Sequence, residues 1–250
     1  MSCYEALAAS YDGLTRDIPY EKYLRFFKSL LKQYGVKPKT VLDLACGTGS
    51  LSVLLAKSGY AVLGVDRSED MLTVAAEKAM ELEENQPFFV AQPMQRLRLP
   101  QPGDACVCAL DSINYVTKPQ DVQKTFCRIY ESLRPGGLFV FDINTPYKLE
   151  SLDGQVFLDE TEDSYCVWRT FFSEKTKICT YQVDLFRLQA DGTWERDYEE
   201  HRERAWSAEE LTAFLTDAGF EKIAITGDLT RRPPKDTEDR WIVRCRKPVN

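Results

Sequence analysis

The chain has 250 residues, 44% of them hydrophobic, enough to bury one large core in a single elaborated fold. A formal net charge of −7 disfavours general affinity for phosphate backbones. No stretch approaches the roughly 20 apolar residues that span a bilayer, and the start Met1-Ser-Cys-Tyr-Glu lacks the basic and apolar regions of a signal peptide, so a cytoplasmic protein with no membrane partner is expected.

Residues Tyr4 to Tyr34 read as two helical pieces separated by Asp17-Ile-Pro19-Tyr20. On the second, Tyr23, Leu24, Phe27, Leu30 and Leu31 recur at the helical period and predict packing on a sheet. The run Val41-Leu-Asp-Leu44 then leads into Ala45-Cys-Gly-Thr-Gly49, a helix with Leu51, Leu54 and Leu55, and a second apolar run closing on Asp66. Strand, glycine loop, helix and strand in that order read as a nucleotide-type site at the strand ends. Gly47 and Gly49 permit positive φ and close approach of a ligand to the backbone, and Ser50 is placed to cap the helix. Asp66 stands where one carboxylate reaches two ribose hydroxyls. Ser52 occupies the third glycine position of a dinucleotide fingerprint, which weakens an NAD-linked oxidoreductase reading.

Ser68 caps the next predicted helix, through Met71, Leu72, Ala75, Ala76, Ala79 and Leu82, and Phe88-Phe-Val-Ala91 is the third strand, ending at Gln92-Pro-Met94. Asp104 to Leu110 is the fourth. Ligands in open α/β sheets bind beyond strand C-termini, so Leu110, Asp111 and Ser112 should border the chemistry, with Asp111 as helix cap, orienting group or base. A helix from Asp121 to Leu133 is stopped by Pro135-Gly-Gly137, and Leu138 to Phe141 is the fifth strand.

From Glu150 to Ala205 the pattern changes to strands alone: Tyr165–Phe172, Ile178–Leu188 and Thr193–His201, the last two joined by the turn Asp191-Gly192. Ser207-Ala-Glu-Glu210 then reads as a capping box opening a helix that Gly219 ends, followed by strands at Lys222–Ile225 and Arg240–Cys245. Between these, Arg231-Arg-Pro-Pro-Lys235 reads as a solvated loop or a small RNA patch. The expected fold is α/β, doubly wound, with a mostly parallel seven-stranded sheet and an antiparallel β insertion. Residues 1–149 and 206–250 form the main domain and 150–205 the insertion.

The eight cysteines fall inside apolar elements without metal or disulfide spacing, so buried free thiols and no metal are expected. His201, the one histidine, reads as a half-exposed strand residue paired with a neighbouring glutamate, or as a group at a pocket mouth.

The stretch Asp43-Leu-Ala-Cys-Gly-Thr-Gly49 resembles the first motif of class I S-adenosylmethionine-dependent methyltransferases. Tyr11-Asp12, Leu110-Asp-Ser-Ile-Asn-Tyr115, Leu133-Arg-Pro-Gly-Gly137, Phe141-Asp-Ile-Asn-Thr-Pro-Tyr-Lys148 and Ala218-Gly-Phe220 are similar to later blocks of the small bacterial members. The resemblance covers most of the chain and implies a Rossmann-like methyltransferase fold with S-adenosyl-L-methionine as cofactor. It implies cofactor contacts at Tyr11, Ala45, Gly47, Gly49, Asp66, Arg67, Met71, Gln92, Pro93, Met94, Leu110 and Asp111, and substrate contacts at Tyr20, Asn114, Tyr147 and His201. No catalytic residue is assigned. Tyr11 is either a half-buried aromatic or a phenol that meets the methionyl carboxylate or the sulfonium. Pro93 stands where the family commonly has an acid that reads the adenine amino group, so the Gln92 amide or the Met94 N–H is expected to take over. The implied activity is methyl transfer to a small-molecule amine or hydroxyl, with a homodimer as the assembly considered. The alternatives are an RNA methyltransferase and a non-catalytic cofactor-binding partner protein. The insertion is expected to form an acidic substrate lid, with 13 Asp or Glu against 7 Lys or Arg in residues 151–205.

Overall fold

The computed structural model describes residues 11–249. Its strands are β1 (Thr40–Leu44), β2 (Ala61–Asp66), β3 (Phe88–Ala91), β4 (Gly103–Cys108), β5 (Leu133–Asn144), β6 (Val156–Glu160), β7 (Ser164–Ser173), β8 (Ile178–Leu188), β9 (Trp194–Arg204), β10 (Glu221–Gly227) and β11 (Arg240–Arg246). The helices are α1 (Tyr11–Leu14), α2 (Tyr20–Tyr34), α3 (Ser50–Lys57), α4 (Glu69–Met80), α5 (Pro119–Glu131), α6 (Pro146–Ser151) and α7 (Ala208–Asp217). The predicted helical reading before Tyr11 lies outside the described residues.

The main sheet has the order β10-β11-β5-β4-β1-β2-β3, parallel except for β11, which runs antiparallel to both neighbours. Near-continuous apolar strands suit burial on both faces. One face packs Leu24, Phe27, Leu30 and Leu31 of α2 with Leu51 and Leu55 of α3. The other packs Val122, Phe126 and Ile129 of α5 with Leu211 and Leu215 of α7. The chain leaves β1 toward β2 on one side and returns to β4 on the other, so a crevice opens at the carboxyl ends of β1 and β4.

The seven-stranded sheet and the antiparallel insertion agree with the sequence reading, with three local differences. Strand β5 starts at Leu133 and takes in Pro135-Gly-Gly137, expected as a helix stop. There Gly136 sits at φ 80° and donates to the C-terminal segment at Lys247 O, while Lys247 N donates to Gly137 O, so the strand extends along the chain's last residues. The insertion has four strands in the order β6-β7-β8-β9. The unpredicted β6 reads Val-Phe-Leu-Asp-Glu, with no alternation for a period-2 search to find, and all five residues are exposed on the edge. Finally, the insertion's acids do not all face water: Asp184, Glu199 and Glu203 are buried.

Candidate functional site

A cavity of about 540 Å³ lies at the carboxyl ends of β1 to β4, within the range of small-molecule sites. Its floor is the loop after β1, of which Ala45, Cys46, Gly47 and Thr48 line the cavity and Gly49, expected as a cofactor contact, does not; Ala45, Gly47 and Gly49 all have positive φ, at 55°, 53° and 74°. A left-handed conformation costs a non-glycine residue about 1–2 kcal/mol, so Ala45 carries strain that the surrounding contacts hold. A Cβ on Gly47 would meet nothing within 4 Å, so it would project into open space beside the cavity. A Cβ on Gly49 would stand 2.8 Å from the Ala75 Cβ, which makes glycine necessary for the close approach of α4. Gly49, not Ser50, occupies the cap position of α3. The Ser50 hydroxyl instead accepts from Lys78 Nζ at 2.9 Å.

Asp66 joins this loop to the next. Its two carboxylate oxygens accept from Gly47 N and Ser68 N, each at 2.9 Å, while the side chain borders the cavity. Ser52 has a use of its own at the third fingerprint position: its Oγ donates to Asp43 Oδ2 at 2.6 Å, and both residues are buried. Burial pushes the Asp43 carboxyl up to about 7, against the lowering effect of that hydrogen bond.

The N-terminal helix is pinned over the loop. Thr48 Oγ1 donates to Asp12 Oδ1 at 2.7 Å, and Lys78 Nζ pairs with Asp12 and donates to Thr48 Oγ1. This brings Tyr11 and Tyr20 to the cavity wall. Burial raises both phenols, Tyr20 to about 12, so at neutral pH they are protonated donors.

At the β3 end, Arg67, Met71, Gln92, Pro93 and Met94 all border the cavity. The Gln92 amide is engaged elsewhere, however. Its Oε1 accepts from Arg98 N at 2.9 Å and its Nε2 donates to Arg98 O at 3.2 Å, which closes the 92–98 loop on itself. The oxygen expected to replace the family's acid thus already accepts from a backbone donor of its own loop. Gln95, which the sequence reading passed over, also lines this end. A polar side chain three residues beyond Gln92, in the same loop, was its only signal.

At the β4 end, Leu110 and Ser112 line the cavity and Asp111 does not. Leu110 and Asp111 are consecutive left-handed residues, at φ 60° and 51°. Asp142, buried at the end of β5, accepts from Leu110 N at 2.7 Å and from Asp111 N at 3.1 Å. Arg240 pairs with Asp142 and reaches Asp111 Oδ1 at 2.7 Å and Asn144 Oδ1 at 3.2 Å. Asp111 is therefore no helix cap, and the cap position of α5 belongs to Lys118. Tyr115 to Lys118 with Asp121 continue the wall at this end, missed in the sequence because an irregular loop ahead of a helix carries no periodic signal.

Of the expected substrate residues, Tyr20 alone lines the cavity. Tyr147 lies exposed on α6. Asn114 is fully buried as a rivet between main sheet and insertion: its Nδ2 donates to Asn144 O and Arg204 O, and its Oδ1 accepts from Asn144 N, each at 3.0 Å. His201 is buried, against the half-exposed expectation, with Nε2 3.0 Å from Glu199 Oε2. It stands behind the wall, its ring edge-on to Tyr115 at 6.1 Å. No lining residue comes from 150–205. The insertion approaches through Glu203, whose Oε2 accepts from Asn144 Nδ2 at 2.8 Å. Burial, then the negative charge of Asp111, push the Glu203 carboxyl up.

Among the described residues no group of His, Cys, Asp and Glu is arranged to hold a metal, and no helix is long and apolar enough to cross a membrane. A groove with an open glycine in its floor, the Asp66 carboxylate on its wall and the phenols of Tyr11 and Tyr20 beside them suits a nucleoside carrying an amino-acid arm.

Comparison with known proteins agrees. A family model described as a methyltransferase domain matches residues 41–137. A relative from Geobacillus sp. (strain WCH70), provisionally named a methyltransferase, is 36% identical over 98% of this chain and 99% of its own. The glycine/sarcosine N-methyltransferase of Aphanothece halophytica is 32% identical over 87% of this chain and 78% of its own. The crystal structure of an S-adenosylmethionine-dependent methyltransferase from Clostridium acetobutylicum ATCC 824 superposes with a TM-score of 0.87 at 27% identity, covering 99% of this chain and all of that one. With full-length relatives, the same fold and a fitting groove, the chain belongs to the class I methyltransferases that use S-adenosylmethionine as cofactor.

Proposed function

We propose that the acceptor is a small-molecule amine, held at the β4 end of the cavity with the insertion, residues 150–205, as the outer wall of its access route. The observation that carries this reading is the charge around that end. Asp111 and Asp142 gather behind Leu110 and Ser112 against the guanidinium of Arg240, which leaves one net negative charge there, while the Glu203 carboxyl beside them, pushed up to about 8 by burial, adds none at neutral pH. Tyr11, Tyr20 and Tyr115 line the cavity, aromatic faces that favour a cation. An acidic surround draws a cationic substrate and repels a nucleic acid backbone. The amine-methylating relative from Aphanothece halophytica supports the same direction.

The cofactor supplies a methyl group on a sulfonium, already activated for in-line attack. What remains for the chain is to orient the nucleophile and keep water out. Asp66 with the Gly47 backbone is proposed to hold the ribose, and the segment from Gln92 to Gln95 to receive the adenine. The protonated phenols of Tyr11 and Tyr20 donate hydrogen bonds at the other end. An ammonium arriving there must lose its proton to solvent before it attacks, and the carboxylates behind the wall favour its approach through their field rather than by contact.

The test is transfer of labelled methyl from S-adenosylmethionine to a panel of small primary and secondary amines, hydroxylated aromatics and total RNA. Label is expected in amines. Label confined to hydroxyl acceptors or RNA would overturn the reading. Cofactor binding with no label in any acceptor would favour a non-catalytic binding protein.

A further inference from the structure

The turn after β4 departs from relaxed backbone at two consecutive residues, and the carboxylate that receives its N–H groups comes from a distant part of the chain. Leu110 and Asp111 both lie in the left-handed region, with no glycine between them. Two successive left-handed residues turn their N–H groups to one side, and there the Asp142 carboxylate receives both, one on each oxygen. Asp142 is 2% exposed and comes from the carboxyl end of β5, one residue beyond the last β4 pairing, Cys108 with Phe141. Arg240 opens the antiparallel strand β11, opposite Asn144. Its guanidinium joins Asp142, Asp111 and Asn144, so it fixes the receiving carboxylate and the turn's own side chain together. The turn is closed from the other side by Ser112 Oγ donating to Ala109 O at 2.9 Å and by Asn114 N donating to Asp111 O at 2.8 Å.

The strand order says which part of the cofactor this turn meets. Across the cavity the strands run β3, β2, β1, β4. With the ribose at Asp66 on β2 and the adenine toward Gln92–Gln95 beyond β3, the amino-acid arm extends over β1 to Leu110 beyond β4. A carboxylate that organises two backbone N–H groups is a pre-organising device: it fixes the cavity wall before the ligand arrives, so the ligand bears less of the ordering cost.

We infer that Asp142 and Arg240 are positioning residues that shape the Leu110–Asp111 turn into the receptor for the amino-acid arm of the cofactor. They thereby set the preference for S-adenosyl amino acids over nucleosides that lack the arm. The inference rests on the cofactor and on the orientation just given, and is independent of the methyl acceptor, so it stands or falls separately from the amine reading.

Two probes separate this role from a general one: S-adenosylhomocysteine, which carries the arm, and 5′-methylthioadenosine, which ends after the sulfur. Calorimetry on the full chain should show wild type favouring S-adenosylhomocysteine by at least about tenfold. Asp142→Asn keeps the shape but leaves one acceptor oxygen for two N–H donors and turns an NH2 toward the other. It should weaken S-adenosylhomocysteine roughly 10- to 100-fold and change 5′-methylthioadenosine by less than about threefold. Arg240→Lys leaves a cation but cannot join all three partners, and should compress the same ratio by about 3- to 10-fold. If Asp142→Asn does not fold, the lysine variant is read by itself. Equal weakening of both ligands in a folded variant would reduce the pair to structural residues and overturn the inference. An unchanged ratio, or a wild type that binds both ligands alike, would also overturn it.

Discussion

Removing the Asp66 carboxylate tests the proposed orientation of the cofactor most directly. In the structure this group accepts from the backbone of Gly47 and Ser68, and its side chain borders the cavity. The change Asp66→Ala therefore has two separable consequences. The ribose hydroxyls lose a charged acceptor, and hydrogen bonds to charged groups contribute about 1.5–3 kcal/mol, so the dissociation constant of S-adenosylhomocysteine should rise roughly 10- to 150-fold. Two backbone donors lose their acceptor as well. Because they lie beside a cavity that admits water, this should cost only about 1 kcal/mol of stability, or about 2–4 °C in melting temperature for a chain of this size. Calorimetric titration and a thermal melt on the same sample keep the two apart. Asp66→Asn is the matched control: with one oxygen it cannot serve both N–H donors, so it should lose affinity too, by less than alanine. A folded Asp66→Ala protein whose dissociation constant stays within about threefold of wild type would place the ribose elsewhere and remove the basis for laying the cofactor along β3 to β4.

Other residues give independent outcomes. Asp43 keeps its proton to about pH 7 in the folded chain, whereas an unfolded aspartate loses it near 4. The native state thus binds the extra proton between those values, and the stability it contributes is full below about pH 4 and lost as pH rises through about 7. Asp43→Asn should remove this slope, at most about 1.4 kcal/mol per pH unit, so urea titrations should show the variant gaining on wild type from pH 5 to pH 7. A pH-independent difference would contradict the raised value. Gln92→Ala should lower stability by about 1 kcal/mol through the opened 92–98 loop, whereas Gln95→Ala should weaken S-adenosylhomocysteine binding without moving the melting temperature. The opposite pattern, measured by the same melt and titration, would return Gln92 to the adenine contact. Asn114→Ala strips partners from two buried backbone groups and one part-buried one and should cost about 3 kcal/mol or more, and a melting temperature within 3 °C of wild type would refute the rivet.

What the sequence discloses and what it hides divides along chain separation. The glycine loop and the acid closing β2 are recognisable because their meaning is local: positive φ at Gly47 and Gly49 and a carboxylate 17 residues beyond the second glycine produce one geometry wherever they occur. The Ser207–Glu210 capping box and the Asp191-Gly192 turn are legible for the same reason. Edge strand β6 escaped because it pairs on one side only, buries none of its side chains and carries no alternation. Asn114, Asp111 and Gln92 are assigned to ligands by the resemblance of their segments to family blocks beside strand ends. In each case the structure gives the side chain a protein partner: Arg98 for Gln92, Arg240 for Asp111, and backbone 30 and 90 residues away for Asn114. A polar residue at the carboxyl edge of a parallel sheet has two possible partners, the ligand and the neighbouring strand end. Proximity to a motif cannot separate them, because the neighbouring strand end is supplied by a distant part of the chain. The same fact explains how the turn at Leu110 holds its shape: Asp142 lies 32 residues on and Arg240 a further 98, and β4, β5 and β11 bring the three together only when the sheet has formed.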